Sequence, residues 1–259
     1  MQGRRPLQTD DHKYSRGVVA VIAGSKKYPG AAILTVGGAR RGGAGYVKFL
    51  NKHQSITDLV ISQFPDVVPV SSIVSEKIDA LVVGPGATSL RKLPSQISIV
   101  LDSGAFGLAR QREKGVADSD QIIVVTPHEG ELASLGFSIP KRTIANKDRD
   151  KVRIEVAAKI AEKLHVICVL KGHRTVIAAP NSRPILNTNS GPELATAGSG
   201  DILAGLIAAF IASYKPQSSA AAQEIVSQAV HLHSAAGKHA ARTKKSVVAT
   251  DILESLSYC

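Results

Sequence analysis

The strongest constraint on the fold is a series of short apolar runs that are rich in β-branched residues. The runs lie at 18–24, 46–50, 80–84, 97–102, 121–126, 165–171 and 175–179. Strands that are apolar at successive positions belong to a sheet that is covered on both faces. Helical patterns separate several of these runs, near 29–41, 129–135 and 148–164. This alternation predicts a three-layer α/β/α fold with a mostly parallel central sheet.

The rest of the sequence is predicted to add helices and loops to the same domain. The C-terminal third has helical patterns at about 199–214, 219–241 and 249–256. A chain of 259 residues with 44% apolar content can bury a large core. We therefore interpret 1–259 as a single domain, with a polar extension at 1–16. Two charged segments, 111–120 and 138–150, are predicted to be mobile loops.

The apolar segments do not predict a membrane anchor. Residues 1–17 lack the apolar core of a signal peptide, and the run 204–212 is shorter than the roughly 20 residues that a membrane helix needs. We expect no membrane association and a cytoplasmic location. The two cysteines, Cys168 and Cys259, indicate neither a disulfide framework nor a zinc site.

The chain is basic, with a formal net charge of +11, and residues 1–53 hold ten basic and two acidic side chains. Such a surface can simply be solvated, or it can attract a small polyanionic substrate. A nucleic-acid partner is less favoured, because the chain has no Trp, few other aromatic residues and no recognisable nucleic-acid-binding motif.

The segment Ala197–Asp201, with the sequence AGSGD, leads directly into an apolar helix. The first turn of a helix offers unpaired N–H groups and a partial positive charge, and glycines let an anion approach the backbone. The segment therefore predicts an anion site. Asp201 can be read as a helix cap, or as a general base that removes a proton from a substrate hydroxyl beside a transferred phosphate.

The two common nucleotide-binding motifs are absent. No GxxxxGK[ST] sequence occurs, and the cluster GGARRGGAG does not follow a strand with GxGxxG spacing. Any phosphate site in this chain must therefore be of another kind.

Six stretches together resemble the ADP-dependent NAD(P)H-hydrate dehydratases, one branch of the ribokinase-like superfamily. They are GSKKYPGAAILTVGGARRGGAGYV at 24–47, LVVGPG at 81–86, VVTPHEGEL at 124–132, VLKGHRTVIAAP at 169–180, LATAGSGDILAGLIAAF at 194–210, and the tail AVHLHSAAGKHAA with VVATDILESL. They follow the family's order over nearly the whole chain. The separate epimerase domain that is fused to this domain in some relatives has no counterpart in the sequence.

The resemblance implies a ribokinase-like fold and the repair of nicotinamide cofactors whose reduced ring has gained water. ADP, with Mg²⁺, would activate the C6 hydroxyl as a phosphate ester that is then eliminated. The resemblance also implies a homotetramer. It assigns the base and substrate contact to Asp201, nucleotide contacts to Gly200 and Lys171-Gly172-His173-Arg174-Thr175, and contacts with the hydrated cofactor to Ala39, Gly86 and His128.

Each assignment has a structural alternative. Lys171 can be a surface cation and Gly172 a turn glycine, and His128 can be a polar residue that starts a helix. Glu131 is a second-rank candidate, since related kinases place an Asn and a Glu at the spacing of His128 and Glu131 around a magnesium-bound phosphate. The histidines of the tail do not predict a metal site, because His231 and His233 are two apart on a helix and point to different sides.

The sequence departs from the family pattern at two places. After Asp102, which is also a second-rank candidate, Gly104 stands where the family has a second acid. Ser190 stands where a glycine is usual in the loop before AGSGD.

Two other functions remain open. A small-alcohol kinase, such as a hydroxymethylpyrimidine or hydroxyethylthiazole kinase, would share AGSGD but not the GSxxYxGA and TPHxGE stretches. A non-catalytic protein that binds adenylate or nucleic acid would use the +11 charge, and its binding would fall steeply with salt.

Overall fold

The computed structural model describes residues 3–74, 76–86, 90, 92–111, 121–140 and 146–259. Within these residues the strands are β1 (Val18–Ile22), β2 (Tyr46–Phe49), β3 (Val68–Pro69), β4 (Ala80–Val83), β5 (Ser98–Leu101), β6 (Ile123–Val125), β7 (Ile167–Leu170), β8 (Thr175–Ala178) and β9 (Ile185–Asn187). They form one sheet in the order β3-β2-β1-β4-β5-β6-β7-β8-β9.

The α-helices of the same residues connect and cover these strands. They are α1 (Pro29–Arg41), α2 (Gln54–Gln63), α3 (Phe106–Ala109), α4 (Asn146–Leu164), α5 (Ser199–Tyr214), α6 (Ser219–Ala241) and α7 (Ala249–Ser255). Three short 3-10 helices, Ser103–Ala105, Glu129–Leu135 and Pro192–Leu194, lie between them.

The strands pair in parallel from β3 across to β7, and β7, β8 and β9 pair antiparallel. The short connections explain the change of direction. Only four residues join β7 to β8, which is enough for a hairpin but too few for the crossover that parallel strands require. The predicted three-layer, mostly parallel fold is therefore confirmed.

Two apolar clusters cover the two faces of the sheet. One joins residues of α1, α2, α5, α6 and α7 to one set of strand side chains. The other joins α3, α4 and the 3-10 helix at Glu129–Leu135 to the alternate set. The strands are thus apolar at successive positions because both faces are covered.

Helix α5 is apolar on nearly every side because it packs within its layer as well as on the sheet. Gly38 of α1 and Gly205 of α5 allow the closest approach: a Cβ atom on Gly38 would overlap the carbonyl oxygen of Ile202, and one on Gly205 would overlap that of Thr35. The backbones of α1 and α5 are therefore in direct contact.

All seven predicted strands are present, with ends that differ by one or two residues. The helices α2 and α3 and the short strands β3 and β9 were not predicted, and the segment predicted as a helix at 129–135 is a 3-10 helix. Residues 112–120 of the first predicted mobile loop and 141–145 of the second lie outside the described residues, and 146–150, which were predicted as a loop, begin α4. Among the described residues, no helix combines the length and apolar character needed to cross a membrane.

Candidate functional site

The carboxyl ends of neighbouring parallel strands bring several predicted site residues together. Asp102 follows β5 directly and Lys171 follows β7 directly, while His128 lies three residues beyond β6. The N–H of Lys171 donates to the carbonyl of Pro127 over 2.8 Å, which extends the β6–β7 pairing beyond the strands. Ligands of open α/β folds bind at this edge.

A lysine and an aspartate form the centre of the cluster. The Nζ atom of Lys171 lies 2.9 Å from Oδ1 of Asp102, and Oγ1 of Thr126 donates to the same oxygen over 2.5 Å. The Asp102 side chain is nearly inaccessible to solvent, whereas 18% of the Lys171 side chain is exposed. The ammonium therefore neutralises a buried carboxylate and still reaches the surface of the site.

Asp201 lies in the first turn of α5, beside this pair. Gly198, with a φ of 91°, precedes the helix as its N-cap, so Asp201 is inside the helix and is not the capping residue. The pKa of Asp201 is raised to about 7, mainly by burial and also by the charges of Asp102 and Glu131, while Lys171 opposes the shift. A carboxyl group with this pKa can accept a proton near neutral pH.

The N-terminus of α5 also faces the lysine. A Cβ atom on Gly200 would lie 3.1 Å from Nζ of Lys171. The ammonium and the partial positive charge of the helix thus meet at one place, where they can hold an anion.

His128 and Glu131 stabilise the turn after β6. Nδ1 of His128 accepts from the N–H of Gly130 over 3.0 Å, and Oε2 of Glu131 accepts from the N–H of His128 over 2.9 Å. This reciprocal pattern is a capping box, with His128 at the N-cap. Glu131 also lies 3.9 Å from Nζ of Lys171. His128 therefore starts a helix, as the structural alternative proposed. Its side chain is still exposed to solvent.

The segment 171–175 forms the turn between β7 and β8. Gly172, His173 and Arg174 are exposed, and Thr175 is buried at the start of β8. Nη1 of Arg174 donates to Oδ2 of Asp150 over 2.9 Å.

Gly86 lies beside the start of α1, and Ala39 lies within that helix. Gly86, with a φ of 65°, lies against Tyr28 and Ala31 at the start of α1, near the carboxyl edge of the sheet. Ala39 is the eleventh residue of α1 and fully buried against α5. At about 1.5 Å per helical residue it lies roughly 15 Å from the start of the helix. Its neighbour Gly38 contacts Ile202, the residue that follows Asp201, and a contact of Ala39 with the hydrated cofactor stays a prediction.

A buried histidine supports the AGSGD segment. Nε2 of His233, on α6, lies 3.2 Å from Oγ of Ser199, the first residue of α5. Burial lowers the pKa of His233 to about 4, so the imidazole is neutral at physiological pH. His231, two residues away, instead lines a surface cavity.

The two departures from the family pattern have defined positions. Ser190, Asn187 and Ser234 form a buried hydrogen-bonded cluster, in which Nδ2 of Asn187 donates to both hydroxyl groups over 3.0 and 2.9 Å. Gly104 lies in the 3-10 helix that follows Asp102. Both segments are ordered by contacts that the sequence pattern did not indicate.

Within the described residues, no three His, Cys, Asp or Glu side chains converge in a way that would hold a metal ion by themselves. Asp102 and Glu131 lie on either side of Lys171 and offer carboxylate oxygens, the donors that Mg²⁺ prefers when a substrate phosphate completes the coordination.

Comparisons with known proteins agree with this arrangement. A family model described as NAD(P)H-hydrate dehydratase matches residues 19–257. A protein of Enterococcus faecalis named ADP-dependent (S)-NAD(P)H-hydrate dehydratase is 30% identical over 96% of this chain and 86% of its own length. The solved structure of a ribokinase-like superfamily protein from the same organism superposes with a TM-score of 0.75 at 28% identity, over 99% of this chain and 90% of that one.

Other relatives are longer. A protein of Gloeobacter violaceus named bifunctional NAD(P)H-hydrate repair enzyme Nnr is 34% identical over 88% of this chain but only 46% of its own length. The chain thus spans about half the length of the bifunctional relatives that it matches.

Proposed function

The chain belongs to the NAD(P)H-hydrate dehydratase family, and we propose that it dehydrates (6S)-NAD(P)H hydrate to NAD(P)H with ADP as the phosphate donor. The observation that carries the proposal is Asp201, a half-buried carboxyl group with a pKa raised to about 7 at the N-terminus of α5. A proton acceptor beside an anion site is what phosphorylation of a hydroxyl group requires.

In this proposal the phosphate to be transferred binds at the N-terminus of α5. Its negative charge interacts with the helix N–H groups and with the Lys171 ammonium. Asp201 accepts the proton of the C6 hydroxyl as that oxygen forms its bond to phosphorus and AMP leaves. Loss of phosphate from C6, with a proton from the adjacent carbon, then restores the double bond of the ring.

The remaining assignments in this proposal rest on the resemblance of the motifs. Gly200 and residues 171–175 contact the adenylate portion and its phosphates, and Gly86 and His128 contact the hydrated cofactor. Ala39, which is buried where α1 packs on α5, is also assigned to the hydrated cofactor in this proposal. Mg²⁺ bound with ADP would offset phosphate charge, and Asp102 and Glu131 are the carboxylates that would hold it.

The relative named as ADP-dependent, which the chain matches over 96% of its length, supports the choice of donor. The test supplies hydrated NADH with ADP or with ATP and follows the recovery of NADH absorbance. We expect recovery with ADP and release of AMP and phosphate in equal amounts. Recovery with ATP alone would show that ATP, and not ADP, is the phosphate donor. Recovery with neither nucleotide would contradict the proposed function.

The same assay separates the alternatives. A hydroxymethylpyrimidine or hydroxyethylthiazole kinase would phosphorylate its alcohol without restoring NADH. A non-catalytic protein would bind adenylate or nucleic acid, with an affinity for nucleic acid that falls steeply with salt. The stretches GSxxYxGA at 24–31 and TPHxGE at 126–131, which those kinases would not share, favour the dehydratase.

We further propose that 1–259 is one domain, with 1–16 as a polar extension, and that it acts in the cytoplasm as a homotetramer without nucleic-acid or membrane partners. These statements follow from the composition and the family resemblance.

A further inference from the structure

An arginine of α4 lies beneath the turn between β7 and β8. The Arg153 side chain is buried, with 3% of its surface exposed. Its Nη2 atom donates to the carbonyl oxygens of Leu170 and Lys171, over 3.1 Å each, and its Nη1 atom donates to the carbonyl of Arg174. One guanidinium therefore binds both ends of the turn that contains residues 171–174.

The charge of Arg153 is balanced by acids of two segments. Its Nε atom lies 3.1 Å from Oε1 of Glu129, and Asp150 lies 3.9 Å from Nη1. Burial lowers the pKa of the guanidinium, and Glu129 and Asp150 raise it. Glu129 belongs to the turn after β6, next to His128. The guanidinium thus links the turns after β6 and β7, which both border the candidate site.

A buried charge is costly unless its contacts compensate for it. An apolar side chain on this face of α4 would pack against the sheet without that cost. An apolar side chain, however, could not donate hydrogen bonds to three carbonyl groups. The planar guanidinium group makes these bonds with a fixed geometry.

The turn is shaped to accept this side chain. A Cβ atom on Gly172 would lie 2.5 Å from Nη2 of Arg153, so a glycine is required for the turn to approach the guanidinium. Gly172, His173 and Arg174 are exposed on their outer side. Their main chain is therefore held from within.

We infer that Arg153 is a positioning residue for the nucleotide: it fixes the main chain of residues 170–174 in the conformation that receives ADP. This inference rests on the proposed function for the identity of the ligand. It places Arg153 outside direct contact with substrate, acting through the turn. A residue with this role sets the affinity for ADP and leaves the chemical step nearly unchanged.

The test compares Arg153→Lys with Arg149→Gln. Lysine keeps the charge but cannot donate to three carbonyls. Arg149 is a matched control, because it is on the same helix and contacts the same Glu129 but is exposed. Calorimetry measures ADP binding, steady-state kinetics gives kcat and both KM values, and hydrogen exchange reports on the amides of 170–174.

We expect Arg153→Lys to weaken ADP binding by about 10-fold or more, as displacement of a binding segment by a fraction of an ångström can do. The KM for hydrated cofactor and kcat at saturating ADP should stay within about 3-fold. Exchange should rise at 170–174, and Arg149→Gln should match the wild type in every measurement. Gly172→Ala, whose added Cβ would meet Nη2 of Arg153, should likewise raise exchange at 170–174.

A folded Arg153→Lys protein with wild-type ADP affinity would overturn the inference, and so would equal losses for ADP and hydrated cofactor. If that variant does not fold, Arg153→Gln, which keeps an amide donor without a buried charge, is judged by the same criteria. A wild-type protein that binds ADP but does not restore NADH would overturn the proposed function alone. A wild-type protein that binds no nucleoside phosphate would overturn both.

Discussion

The ammonium of Lys171 lies 2.9 Å from the buried carboxylate of Asp102, and it also faces the first turn of α5. The lysine therefore has two roles that substitution can separate. Toward the core it compensates a buried charge, and toward the surface it offers a cation at the anion site.

The first role predicts coupled losses of stability. Lys171→Met leaves Asp102 charged and without its cation, which should lower the free energy of unfolding by about 1–3 kcal/mol. Asp102→Asn removes the charge itself, so the double variant should lose less than the sum of the two single losses. Urea denaturation of the four proteins checks this, and strictly additive losses would contradict the pairing.

The second role predicts a selective loss of nucleotide affinity. We expect Lys171→Ala to weaken ADP binding much more than binding of the hydrated cofactor, because the ammonium lies beside Gly200 at the helix start. Lys238→Ala is the control for net charge, since Lys238 is exposed and contacts Asn189. Calorimetric titration of both ligands measures the difference. Equal losses in a folded Lys171→Ala protein would indicate that the lysine is only structural.

Asp201→Asn should abolish most turnover without weakening the fold. The amide cannot accept the proton, so turnover should fall by about 10²–10⁴. ADP affinity should change little if backbone N–H groups and Lys171 hold the anion. A variant that keeps more than about a tenth of the activity would reject Asp201 as the base, and Asp102 would be tested next.

A control for that substitution lies in another helix. Asp251 is in the first turn of α7, and its Oδ2 accepts from the N–H of Val248 over 3.0 Å. Asp251→Asn should therefore leave turnover unchanged and cost up to about 1 kcal/mol of stability. Loss of turnover in Asp201→Asn, with turnover unchanged in Asp251→Asn, would show that the role of Asp201 is catalytic and not that of a helix cap.

The raised pKa of Asp201 predicts two pH dependences. If this carboxylate is the base, kcat/KM should rise with pH up to about 7 and then level off. The folded state binds this proton more tightly than the unfolded state, so the carboxyl group costs stability increasingly between pH 4 and 7. The stability of Asp201→Asn relative to wild type should therefore increase across that window and stay constant above it. A difference that does not vary with pH would show that the pKa is not raised.

The proposed assembly is tested separately. Light scattering at micromolar concentration should give four times the 27.2 kDa chain mass. A monomeric mass would remove the homotetramer from the proposal.

The sequence predicted the sheet well because its strands are buried on both faces. Runs such as Val18–Ile22 are apolar at every position, which is typical of strands that are covered on both faces. β3 has two residues and β9 three, and both lie toward the edges of the sheet, where that signal is absent. α2 was missed although it packs on the same layer as α1.

The site was predicted in part. Parallel strands end at one edge, so the proximity of Asp102 and Lys171 follows from the topology once the strands are known. The partners of the side chains could not be predicted, because they depend on packing between distant segments. Arg153 gave no signal, since a basic residue in a charged helix is normally exposed. Ala39 was assigned by motif alone, and its burial between α1 and α5 could not be predicted from the sequence.

The direct contact of α1 with α5 at Gly38 and Gly205 has a consequence for how this chain can diversify. Because no side chain separates the two backbones there, the position of the helix that carries Asp201 cannot be changed by making a packed side chain smaller or larger. Mutations that alter substrate preference while keeping the chemistry must therefore accumulate in the turns at the strand ends. Functional variants of this sequence should therefore keep the crossing of α1 and α5, and variants that lose the crossing should lose the activity.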